Sequence, residues 1–183
     1  ISTIDDQVLR YNRDPDFDPL NIPVYIFSDS SWADDKLKRR STIGYQAYLA
    51  HNPISSSVKI HPTPLLSTVE AEYVAQVHAA KEGLFLQNLF SEFPSDIIKL
   101  SPSIDIIGDN IGALNMAENQ ITSERTKHID LRHHFIREHV LAKNLRMNYV
   151  STDLNIADVF TKPLDQLKFK KFMKFIMSVT SLI

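Results

Sequence analysis

The chain has no cysteine, which excludes disulfides and thiolate zinc sites and allows a reducing compartment. No apolar run approaches the ~20 residues needed to span a bilayer. The first residues, Ile1 to Asp6, have neither a basic n-region nor an apolar h-region, so they do not read as a signal peptide. They also lack an initiator Met, as expected of a piece of a longer chain. There is no internal repeat and no low-complexity tract. Net charge is only −2, which by itself does not mark a nucleic-acid binder. What is present is 183 residues, 43% of them hydrophobic, enough for one domain with a real core.

The charge is unevenly placed. Residues 1–35 hold eight acids and two bases, whereas residues 125–183 hold eleven bases and five acids. A basic C-terminal third fits a surface that tracks phosphates, and it equally fits an ordinary solvated surface. Residues 1–23 are acidic and interrupted by Pro15 and Pro19, the pattern of a linker.

Three strand-like runs follow: 24–29, 43–51, and a third in two pieces, 54–60 and 64–67, broken by Pro62 and Pro64. Their short gaps predict an antiparallel meander. Val69, Tyr73, Val77, Ala80 and Leu84 then recur at helical spacing, predicting a helix over 69–90. A strand is expected at 103–108 and a helix at 110–118, with Asp109 and Asn110 as capping residues. A helix over 129–142 places Ile129, Ile136 and Val140 on one side, and 145–150 reads as a last strand. Two helices, 155–161 and 165–179, close the chain around Pro163. A meander followed by α/β alternation predicts an α/β fold, a mixed five-stranded sheet flanked by helices.

Four acids stand out in this layout. Asp29 and Asp109 end strand-like runs, while Glu72 and Asp158 lie near the starts of helical ones. Each alone also reads as a turn, a cap, a solvated helix residue or a charge favoured by the helix dipole. Carboxylates are costly to bury, and four at one sheet edge need cations to neutralise them. Mg²⁺ takes oxygen ligands, and a pair of such ions can clamp both oxygens of an in-line phosphoryl displacement. The set points to a metal-dependent nuclease. Four of the seven histidines fall at 128, 133, 134 and 139, intervals that do not match the paired histidines of a zinc helix. Lys168 to Lys174, with Phe169, Phe172 and Phe175, reads as a basic amphipathic helix that packs back on the domain.

The local motifs carry a resemblance. They are Ser28-Asp29 with Trp32 and Asp34; Arg39 and Arg40 with Gly44-Tyr45; Glu70, Glu72 and Tyr73; Gly108-Asp109-Asn110; Arg125 to His128 with Asp130, Arg132, Arg137 and Glu138; and Asn155 to Leu164 around Asp158. In this order they resemble the RNase H domain at the C-terminal end of copia-type retrotransposon Pol polyproteins, over about residues 24–164. The chain departs from copia-type domains at Ser31, where an Asp is frequent, and over 54–64, where a Trp/Lys-containing pattern is usual. The resemblance implies an RNase H-like fold with residues 1–23 as a linker from an upstream reverse transcriptase, a domain over 24–164 and a C-terminal helix over 165–183.

It also implies a ribonuclease H that cuts the RNA strand of an RNA/DNA hybrid with two Mg²⁺ ions, replaceable by Mn²⁺. The catalytic and metal-binding residues would be Asp29, Glu72, Asp109 and Asp158, with Glu72 rather than Glu70 matching the family's helix position. Asp29 would bridge both ions, Glu72 and Asp109 would complete one and Asp158 the other. Candidate substrate contacts are Ser30, Ser31, Arg39, Arg40, Asn110, Arg125, Lys127 and His128, with Lys36 and Lys38 beside them. The loop before Asp158 lacks the histidine of cellular RNases H, and Asp153 is a stand-in or a plain loop residue. The implied partners are the hybrid and a covalently linked reverse transcriptase, with no membrane, in a cytoplasmic virus-like particle or the nucleus. The alternative is an inactive or domesticated interaction module of the same fold. An integrase is disfavoured, because its D–D–E order ends in a helical Glu.

Overall fold

The computed structural model describes residue 11, residues 15–118 and residues 127–177, with the backbone alone described at 118 and 127–133. Strands β1 (Val24–Ser31), β2 (Thr42–Leu49) and β3 (Asn52–Ile60) form the meander. After them come α1 (Thr68–Ser91), β4 (Ile104–Gly108), α2 (Ile111–Glu118), α3 (Lys127–Leu141) and β5 (Leu145–Tyr149). A 3₁₀ turn (Thr152–Leu154), α4 (Asp158–Thr161) and α5 (Gln166–Met177) end the described chain. The five strands make one sheet in the order β3-β2-β1-β4-β5. β1 pairs antiparallel with β2 and β2 with β3, while β1–β4 and β4–β5 are parallel. This is the mixed sheet that the meander-then-alternation pattern predicts.

The central strand shows why the layers form. Val24 and Ile26 enter one apolar cluster with Tyr45, Tyr73, Val77, Ala80, Ile104, Ile106 and Ile136, under α1, α2 and α3. Tyr25 and Phe27 point the other way, into a second cluster with Tyr48, Ile156, Ala157 and Phe172 beneath α4 and α5. Successive strand residues alternate between faces, so one short run of sequence supplies both layers. All five residues of the α1 face read from spacing pack on the first cluster. At Gly83 a Cβ would lie 2.9 Å from Ile104 Cγ2, so glycine sets how closely α1 lies on β4. α5 returns to the domain through Phe172, which is buried.

Three details differ from the sequence reading. Ile22, in the segment read as linker, is buried and bridges to Leu100. The third strand is one piece and starts earlier, because Ala50 and His51, with φ of 46° and 63°, turn the chain directly from Leu49 to Asn52. Positive φ at both loop residues is the two-residue hairpin pattern, usually written with Asn or Gly. Residues 64–67 are not strand. Pro62 and Pro64 cannot donate to a ladder, and Ser67 caps α1 by accepting from Glu70 N at 3.1 Å while Glu70 Oε2 accepts from Leu66 N at 2.6 Å. That reciprocal pair is close to a capping box. Ile129, expected on the buried side of α3, has its side chain outside the described residues, and so do residues 178–179 of the last predicted helix.

Candidate metal centre

Asp29 shares its face of β1 with Tyr25 and Phe27 and lies opposite Gly44 of β2. A Cβ on Gly44 would sit 2.9 Å from Phe160 Cβ and 3.1 Å from Thr161 Cγ2. The missing side chain therefore lets α4 close down over Asp29. Glu72 reaches the same place from the second turn of α1. Asp109 follows directly on β4, and Asn110 beyond it caps α2, its Oδ1 accepting from Ala113 N at 3.0 Å. Asp29, Glu72 and Asp109 each offer an oxygen within 4.8 Å of the others.

The fourth acid is placed differently. Asp158 is buried at the start of α4, and its carboxylate is taken up by two ammonium groups. Oδ1 accepts from Lys162 Nζ at 2.9 Å and Oδ2 from Lys168 Nζ at 2.8 Å. Lys162 Nζ also donates to Asp29 Oδ1 at 2.9 Å, and Thr161 Oγ1 donates to Asp29 Oδ2. Asp158 is thus joined to Asp29 through a lysine, while the other three acids face one another directly.

Burial and like charge leave their mark on these groups. Burial pushes the Asp29 carboxyl up to about 6, against the pull of Lys162 and of the Thr161 hydroxyl. Burial, then the charges of Asp29 and Asp109, push Glu72 up to about 8. The Ser30 hydroxyl faces Glu72 and works weakly against that shift, yet it is buried without a fully formed hydrogen bond. Burial alone would lower the Lys162 pKa, but Asp29 and Asp158 outweigh it and hold the ammonium above the usual lysine range. Carboxylates driven toward the neutral form by burial, and in Glu72 by neighbouring acids as well, are a pattern found at functional sites. An all-oxygen donor set suits a hard divalent ion such as Mg²⁺ or Mn²⁺. The residues present fit such an ion.

The other sequence-predicted residues are spread more widely. Ser30 is buried beside Glu72 and Ser31 ends β1 half-buried. Lys36, Lys38 and Arg39 are exposed on the β1–β2 loop. Arg40 is held by Asp35, Nη2 to Oδ2 at 3.2 Å, so its guanidinium belongs to that loop. Arg125 lies outside the described residues; Lys127 and His128 start α3 with side chains outside them. Asp153 is almost fully exposed, 3.9 Å from Lys168 Nζ. Among the described residues no helix is long and apolar enough to cross a membrane.

Known proteins resemble this chain in sequence, and solved structures resemble it in fold. The chain is 37% identical over 153 residues to the retrovirus-related Pol polyprotein from transposon RE2 of Arabidopsis thaliana, covering 84% of this chain and 10% of that protein. It is 33% identical over 144 residues to the Pol polyprotein from transposon TNT 1-94 of Nicotiana tabacum, covering 79% of this chain and 10% of that protein. It therefore spans about a tenth of the length of these curated relatives. Among solved structures, an RNase H1 isolated from compost superposes with a TM-score of 0.56 at 13% identity, covering 76% of this chain and 92% of that one. The N-terminal RNase H domain of a Mycobacterium tuberculosis protein gives 0.53 at 12% identity, covering 84% and 97%. The chain is an RNase H-fold relative of copia-type Pol polyproteins. No family model matches it.

The sequence reading of this RNase H-fold domain did not place Thr161, Lys162, Lys168 or Asn155 at the acidic site. Lys162 was legible, since it lies four residues after Asp158 on a predicted helix. Asn155 ties the helix to the strand: its Nδ2 donates to Ser28 O at 3.0 Å and its Oδ1 accepts from Ala157 N at 3.2 Å. That link is tertiary and leaves no local signal.

Proposed function

We propose that this chain is the ribonuclease H domain of a retrotransposon Pol polyprotein. It hydrolyses the RNA strand of an RNA/DNA hybrid with Mg²⁺, or with Mn²⁺ in its place, and acts beside a covalently linked reverse transcriptase. The observation that carries the reading is the grouping of Asp29, Glu72 and Asp109 within 4.8 Å toward the C-terminal ends of the parallel strands β1 and β4.

Asp29, Glu72 and Asp109 would hold one ion, and Asp29 with Asp158 would hold a second. Bound divalent ions supply an activated water and stabilisation of the leaving 3′ oxygen. The chain's own residues set the stage for that chemistry. Thr161 fixes one Asp29 oxygen and Lys162 holds the other. Burial of Asp29 and Asp158 keeps bulk water from competing for their lone pairs. Exposed Lys36, Lys38 and Arg39 offer charge to the hybrid backbone, and such contacts weaken steeply as salt rises. Ser31, half-buried at the end of β1, is the candidate for contact with a 2′-hydroxyl, the group that distinguishes RNA from DNA.

The test is cleavage of a labelled RNA/DNA hybrid at low salt with Mn²⁺ or Mg²⁺, beside an Asp109→Asn variant and duplex controls. RNA-strand cutting to 5′-phosphate and 3′-hydroxyl ends, at least 100-fold reduced in Asp109→Asn, is expected for loss of a metal ligand. Hybrid binding without cutting would overturn the nuclease reading. It would favour an interaction module, for which the neutralisation of Asp158 by Lys162 and Lys168 is the one supporting observation.

A further inference from the structure

Lys162 links two of the four acids. Its Nζ is 2.9 Å from Asp29 Oδ1 and 2.9 Å from Asp158 Oδ1, so it bridges two buried carboxylates as a bound ion would. Lys168, from the first turn of α5, closes the far side of Asp158 at 2.8 Å. The charges make the point sharper. Four carboxylates and two ammoniums leave two negative charges, which a single divalent ion neutralises. Two divalent ions with both lysines in place would leave the site with two positive charges, before any phosphate arrives. Unbalanced charge in a buried site is strongly unfavourable.

We propose that Lys162 is a built-in cation of this chain, so that the free domain binds one divalent ion tightly at Asp29, Glu72 and Asp109 and admits a second ion only when Lys162 withdraws. This rests on the metal-centre reading above and refines it. Lys162 is able to withdraw: it sits at the end of α4 with a third of its side chain exposed, 33%, so its ammonium can swing to water. Lys168 is the more enclosed partner at 20% exposure and stays with Asp158. A substrate phosphate would supply the negative charge that makes the exchange favourable. Lys162 is then a positioning residue, one that keeps Asp29 and Asp158 in register while no substrate is bound.

The test is Mn²⁺ binding by the full chain, followed by the paramagnetic resonance of free Mn²⁺ without nucleic acid, for wild type, Lys162→Met and Lys168→Met. The expected result is one tight ion in wild type with a second at least 100-fold weaker. In Lys162→Met the second ion tightens at least tenfold, and Lys168→Met has a smaller effect. Two ions of equal affinity in wild type, or an unchanged second ion in Lys162→Met, would overturn the proposal while leaving the metal centre intact. No Mn²⁺ binding at all would overturn both. Should Lys162→Met fail to fold, unmodified protein answers the question by amine acetylation read by mass spectrometry. Lys162 is expected to stay protected through the first equivalent of Mn²⁺ and to react at concentrations that load the second. Exposure of Lys162 with the first equivalent would refute the idea.

Discussion

Replacing Glu72 by glutamine should make the metal-free protein more stable, and by an amount that depends on pH. Glu72 is pushed from an ordinary 4.5 to about 8 by burial first, then by the charges of Asp29 and Asp109. Between those two values the folded chain keeps a proton that the unfolded chain has released, so stability falls as pH rises. The contribution is fully present below about 4.5 and is lost as pH climbs through about 8. Each pH unit across the window costs up to ~1.4 kcal/mol, so raising the pH from about 5 to about 8 costs ~3–4 kcal/mol. Asp29, raised to about 6, adds to the loss in the lower part of the window. Glutamine keeps the shape and cannot ionise. In a chain of this size ~1 kcal/mol moves Tm by ~2–4 °C. Thermal unfolding in EDTA should therefore give nearly equal Tm for wild type and Glu72→Gln at pH 5, and a variant on the order of 10 °C more stable at pH 8. Adding Mg²⁺ at pH 8 should close the gap, because the ion binds the folded wild type and restores what ionisation removed. A gap that is the same at both pH values, or a variant less stable at pH 8 without metal, would refute the placement of Glu72 in a buried acidic group.

Two further substitutions probe how α4 is held. Asn155→Ala leaves the buried Ser28 carbonyl without its partner, and a loss of ~1–3 kcal/mol is expected from chemical denaturation, with cleavage falling by more than hybrid affinity. Gly44→Ala places a methyl 2.9 Å from Phe160 Cβ, and the displaced helix should cost ~1–3 kcal/mol and loosen the Thr161–Asp29 contact. Unchanged hybrid cleavage in Gly44→Ala would show that the approach of α4 is not needed for activity.

Much of the fold was legible because its signals are local. The steps of Val69, Tyr73, Val77, Ala80 and Leu84 are set by one helix, and the apolar runs ending at Asp29 and Asp109 by single strands. The order meander, helix, strand, helix then leaves few ways to build a sheet. The third strand was misread for an equally local reason. Its hairpin uses Ala50 and His51 at positive φ, so the usual Asn or Gly marker is absent. The site was legible as a list of acids but not as an arrangement. Nothing near Asp158 in sequence tells that its helix lies against Gly44, or that Thr161 and Lys162 meet Asp29 more than a hundred residues away.

That arrangement explains why so short a helix carries so much. Four residues cannot hold a helix on their own, since nucleation is unfavourable and few intrahelical bonds form. α4 exists because Asn155 pins its start to β1, Gly44 admits its flank and Thr161 and Lys162 bond Asp29 at its end. Every one of those contacts lands on β1 or its partner in the sheet, within one residue of Asp29 or opposite it. The position of Asp158 is therefore set by the strand that carries Asp29, together with Lys168 of α5, rather than by its own short helix. A change that frees α4 should separate these two carboxylates while leaving Asp29, Glu72 and Asp109 together, because those three stand on β1, α1 and β4, which are joined through the main core.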